Sequence, residues 1–117
     1  MTKSTIRIDV TLDADRMPEQ ISWNASDTTA ADDRIAKAVM LSLWDGADRS
    51  ALRIDLWTKS MMVDEMADFY YQTFMTMADT YERATRHTGL SEEVRTFAKD
   101  FYKKFRDQQL KDGKLEL

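Results

Sequence analysis

The sequence predicts an α+β fold: a four-stranded antiparallel sheet made of two hairpins, followed by two amphipathic helices packed on one of its faces. Three observations predict it. Apolar residues recur with a period of two through residues 5–58, the period changes to 3.6 from Val63 onward, and clusters of turn residues separate the alternating runs. Strands gathered ahead of helices give an antiparallel sheet with the helices segregated to one face. The other face is left to water or to another molecule. At 117 residues the chain reads as one domain, 1–117, with the sheet in 5–58 and the helices in 62–112.

The first hairpin spans residues 5–25. Ile6, Ile8, Val10 and Leu12 alternate with Arg7, Asp9 and Thr11, and Ile21, Trp23 and Ala25 alternate again after the turn Asp13-Ala14-Asp15-Arg16-Met17-Pro18. Residues 26–34, SDTTAADDR, are small and polar and read as a surface loop. The second hairpin pairs 37–45 with 51–58 across Asp45-Gly46. Ile35, Val39 and Leu43 also have helical spacing, but the segment is short and Leu52, Ile54 and Leu56 alternate cleanly after it.

Val63, Met66, Tyr70, Phe74, Met77, Tyr81 and Ala84 lie within about 40° of one line on a helical wheel, which makes them the expected core stripe of the first helix. Asp64 and Glu65 suit its positive N-terminal end. Gly89 is expected to stop it, and Ser91 to cap a second helix with Glu92 and Glu93 in its first turn. That helix has the stripe Val94, Phe97, Ala98, Phe101 and Phe105, and Gly113 ends it.

One pattern occurs twice: Ile6-Arg7-Ile8-Asp9-Val10 and Leu52-Arg53-Ile54-Asp55-Leu56. If the first and fourth strands were neighbours, Arg7 would face Asp55 and Asp9 would face Arg53, each pair contributing roughly 0.2–1 kcal/mol. That predicts the strand order 2-1-4-3. The alternative is that these are ordinary solvent-face residues that recur by chance.

Composition excludes several functions. There is no Cys, so disulfides, thiolate metal sites and cysteine nucleophiles are absent together. The net charge of −4 is uneven, with residues 1–98 acidic on balance and 99–117 mildly basic. An acidic body is a poor partner for nucleic acid, whose binding depends on Lys and Arg neutralising phosphates. No apolar run reaches the ~18–20 residues of a membrane span, and the first ten residues already alternate, so a cytoplasmic location is expected.

No catalytic, cofactor-binding or metal-binding residue is expected. His87, the single histidine, sits where a cation suits a helix C-terminus. With three glycines there is no phosphate-cradling loop. The acid groups Asp32-Asp33, Asp45/Asp48 and Asp64-Glu65/Asp68 are each accounted for by a loop, a turn or a helix start.

Four residues are candidates for a protein interface instead. Trp44 and Trp57 share the outer face of the second hairpin if Val39, Leu41, Leu43, Leu52, Ile54 and Leu56 face the helices. Two indoles on a solvent face point to a partner or to self-association; the alternative is packing at a sheet edge or cover by the 26–34 loop. Met75 falls about 140° from the helix stripe, with Tyr71 leaning the same way at about 100°. Adaptable Met surfaces suit partner binding, unless the second helix covers that flank.

The words LSLWD (Leu41–Asp45), LRIDLWTK (Leu52–Lys59), VDEM (Val63–Met66) and FYYQTFMTMADTYERAT (Phe69–Thr85) resemble the GldC family of gliding-motility accessory proteins. The likeness is strong over residues 36–86, weaker in the first hairpin and poor beyond Gly89. The resemblance implies a non-enzymatic cytoplasmic protein that supports a gliding apparatus, with a protein of that apparatus or its regulators as partner. It supplies no cofactor and no catalytic residue. Strands followed by two helices in a small acidic chain are also similar to SecB-like architecture, so the alternative is an oligomeric export chaperone or adaptor that binds unfolded clients.

Overall fold

The computed structural model describes residues 2–26 and 33–113. The chain forms two compact units, Met1–Met61 and Met62–Leu117. The class is α+β, with five strands in two antiparallel sheets followed by two helices.

In the first unit, β1 (Ile6–Leu12), β2 (Pro18–Ala25) and β3 (Arg34–Ala36) form one sheet in the order β1-β2-β3. Strands β4 (Ala38–Asp45) and β5 (Ser50–Trp57) form a second sheet. Both predicted hairpins are present. The single four-stranded sheet is not, because the chain bends at Lys37. Arg34–Ala36 pair back onto β2, and Ala38–Asp45 pair forward onto β5. Three residues including one Arg were too short a run to stand out from the polar segment before them. Most of the expected 26–34 loop lies outside the described residues.

The strand order 2-1-4-3 is also corrected. Strand β1 pairs with β2, and β5 pairs with β4. The arginine of each repeated pattern instead reaches along its own strand. Arg7 Nε donates to Asp9 at 2.9 Å, and Arg53 Nη2 donates to Asp55 at 3.0 Å. Residues two apart share a face of a strand, so a long Arg meets the Asp next to it on the same side.

Each hairpin turn opens on an aspartate that closes it. Asp13 Oδ1 accepts the amides of Asp15 and Met17. Asp45 Oδ1 accepts those of Ala47 and Asp48. Each turn also carries an arginine in the left-handed region, Arg16 at φ 63° and Arg49 at φ 54°. Ile8, Val10 and Ile21 share a face of the first sheet, where Val10 stands opposite Ile21. Ile21 is the most enclosed large side chain there, at 1% exposure.

In the second unit, α1 (Val63–Thr85) and α2 (Thr88–Lys111) pack as an antiparallel hairpin. The Met62 amide donates to the Glu65 carboxylate at the start of α1. Helix α1 ends at Arg86, in the left-handed region at φ 65°, whose amide donates to the Glu82 carbonyl at 2.8 Å. The expected stop at Gly89 is therefore corrected: Gly89 lies inside α2. Ser91 does not cap α2 either. It is fully buried one turn in, and its hydroxyl donates to the His87 carbonyl. Gly113 follows the end of α2 at φ 70°, as expected.

The line along which the helices meet overlaps the expected stripes at Phe74, Phe97, Ala98 and Phe101 but also takes in Ala67, Ala78 and Ser91. The buried positions are Ala67, Ala78, Ser91 and Ala98. Small residues let the two backbones approach. Phe74 stands edge-on to Phe97 and Phe101, each at 5.5 Å, and Tyr71 packs on Tyr102 at 5.4 Å. Val63, Tyr70, Met77 and Tyr81 of α1, with Leu90, Val94 and Phe97 of α2, are exposed.

Candidate functional site

The alternation of β4 and β5 builds the first candidate surface. Val39, Leu41 and Leu43 stand opposite Leu56, Ile54 and Leu52, which makes one apolar face. The other face carries Trp44 opposite Ala51, Ser42 opposite Arg53, Met40 opposite Asp55 and Ala38 opposite Trp57. Trp44 and Trp57 thus share a face, as the alternation implied. They do not form one patch. From Ala38, beside Trp57, to Trp44 is six residues of strand, or about 20 Å. Trp44 stands beside the turn and is 66% exposed, whereas Trp57 is half-buried.

Tyr71 and Met75 are in the other unit, on α1, and both are half-buried. The Tyr71 ring lies against Tyr102 of α2. The structure thus describes one indole that is largely open to solvent and three side chains that are partly enclosed.

A second apolar surface was not legible as such. Tyr81, Leu90, Glu93, Val94 and Phe97 line an open groove of about 380 Å³ between α1 and α2. The periodicity placed Tyr81, Val94 and Phe97 in the core. Periodicity finds an apolar stripe but does not say which element covers it. At the rim, the Tyr81 hydroxyl is hydrogen-bonded to His87 Nδ1 at 2.9 Å.

Charged side chains hold these elements. Arg95 reaches Asp79 at 2.9 Å, Glu82 at 3.2 Å and Glu92 at 2.6 Å. The three carboxylates push its pKa up further still, so it is always charged. The Asp68 carboxylate beside the Tyr102 hydroxyl raises that phenol above its ordinary value. Lys59 sits 2.7 Å from Asp13. Its ammonium and the Met17 amide hold the Asp13 carboxyl below the usual range, and Asp13 in turn raises Lys59.

Asp13 and Asp45 spend their carboxylates on turn amides. Among the described residues, no three His, Asp or Glu side chains gather as a metal site, and no helix is long and apolar enough to cross a membrane. What the geometry offers is apolar surface: Trp44 beside the β4–β5 turn and the groove lined by Tyr81, Leu90, Val94 and Phe97.

Neither the curated proteins nor the solved structures contain a match to this chain. A family model described as gliding motility-associated protein GldC-like matches residues 18–107. The match runs from the start of β2 into the last turns of α2, past the Gly89 limit that the short words suggested. The chain belongs to the GldC-like family of gliding motility-associated proteins.

Proposed function

We propose that this protein is a non-enzymatic accessory of the gliding apparatus, acting in the cytoplasm through contacts with a protein of that apparatus or its regulators. Family membership gives the process. The observation that carries the contact is Trp44, an indole 66% exposed beside the β4–β5 turn. Aromatic side chains of this size dominate the interfaces they enter, and an uncovered one is a ready anchor. Trp57 on the same face, and Tyr71 and Met75 on α1, are the further contact residues of this reading. The absence of Cys supports a reducing compartment.

The test is genetic. A gliding cell that lacks the gene is expected to spread less on a surface, and a copy supplied in trans restores spreading. Unchanged spreading in the deletion strain would contradict the role.

A further inference from the structure

Strand β4 has two edges. On one edge, Ala38–Asp45 pair with β5 in an unbroken register. The Thr58 amide donates to the Lys37 carbonyl at 2.9 Å. By the alternation of an antiparallel ladder, the main-chain groups of Val39, Leu41 and Leu43 then point at β5, and those of Met40, Ser42 and Trp44 point away. Among the described residues no strand pairs with this second edge, because the sheet has two strands.

Folded proteins guard an open edge with charge, proline or a bulge. Strand β1 carries Arg7 and Asp9, and β5 carries Arg53 and Asp55. Strand β4 reads Ala-Val-Met-Leu-Ser-Leu-Trp from 38 to 44, with no proline or glycine and no charge before its last residue, Asp45, whose carboxylate is taken up by the turn amides. Its pairing shows no bulge. A two-stranded sheet is also marginal by itself, and three or more strands are needed for independent stability.

We propose that the open edge of β4 pairs antiparallel with β4 of a second copy of this chain, about a two-fold axis at Ser42. The segment suits itself as occupant. It is neutral, so no like charges meet. Centred on Ser42, the register sets Ser42 against Ser42 of the second copy and Met40 against Trp44 of the second copy. Each such pair exchanges two N–H···O bonds, and a thioether beside an indole is a favourable contact. On the other face Leu41 meets Leu43 of the second copy. The apolar rows of the two hairpins then run together across four strands. This inference goes beyond the proposed function and does not depend on it, since the ladder uses main-chain groups.

The experiment is light scattering on the full chain over a range of concentrations, for the wild type, Ser42→Pro and Ser42→Lys. Proline at 42 removes an outward N–H and leaves the β5 ladder intact. Lysine at 42 sets like charges opposite each other across the axis. The wild type is expected at twice the 13.6 kDa of one chain, and each variant at half the wild-type mass with an unchanged circular dichroism spectrum. Hydrogen exchange on the wild type gives a second reading that needs no variant. The Met40, Ser42 and Trp44 amides should gain protection as concentration rises, while those of Val39, Leu41 and Leu43 are protected throughout. A monomer at every concentration overturns the proposal. So does a dimer that both variants leave intact, or one whose Met40, Ser42 and Trp44 amides exchange at a constant rate.

Discussion

Arg95 of α2 lies 2.9 Å from Asp79 of α1, and the same guanidinium reaches Glu82 and Glu92. One planar cation thus ties two turns of α1 to the first turns of α2. Replacing Arg95 with Met leaves three carboxylates facing one another without a counter-charge. The expected result is a lower melting midpoint. Arg95→Lys should recover only part of the loss, because an ammonium lacks the fork that serves three acceptors at once. Thermal unfolding of both variants checks this.

Ala98 is fully buried where the two helices meet. Ala98→Leu adds bulk where the backbones are close and should destabilise the protein by about 1–3 kcal/mol. The loss should show as a lower urea midpoint.

Three arginines occupy the left-handed region that favours glycine: Arg16, Arg49 and Arg86. Each side chain there costs about 1 kcal/mol or more against glycine. Arg49→Gly and Arg86→Gly should each stabilise the chain by up to about 1 kcal/mol in urea unfolding. No gain in either variant would mean that the arginine side chains make up for the strain.

The acid limb of stability should carry the mark of Asp13. Lys59 and the Met17 amide hold its carboxyl below the ordinary aspartate range in the folded chain. A depressed carboxyl binds fewer protons folded than unfolded. Its contribution is therefore complete above the ordinary value and is lost as pH falls through the folded one. Lys59→Met should flatten the fall in stability from about pH 4 downward. The slope of urea midpoint against pH reads this directly.

Much of the architecture was legible because period is a local property. Ile6 to Leu12 and Leu52 to Leu56 alternate, and Val63 to Ala84 do not, so four of the five strands, both hairpins and the first helix follow from spacing together with the turn residues and the shortness of 37–45. What failed depended on geometry that spacing does not carry. The bend at Lys37 set a short strand, Arg34–Ala36, against β2 and left β4 and β5 as a separate sheet. Arg86 took the left-handed position at the end of α1 that was expected of Gly89. The contact between α1 and α2 kept Phe74, Ala98 and Phe101 of the expected stripes but added Ala67, Ala78 and Ser91, whose small size makes a close approach possible but gives little apolar signal. The shared face of Trp44 and Trp57 followed from alternation. Their separation followed only from the register.

Trp44 is where the account is most exposed to test. Trp44→Ala should leave stability within about 0.5 kcal/mol of the wild type, whereas Ile21→Ala, at a buried site, should cost about 2–5 kcal/mol. The deciding measurement is colony spreading of a gliding strain that lacks the chain and is complemented with Trp44→Ala at wild-type protein levels. The account predicts that spreading is not restored although the variant is folded. Full restoration of spreading would contradict it.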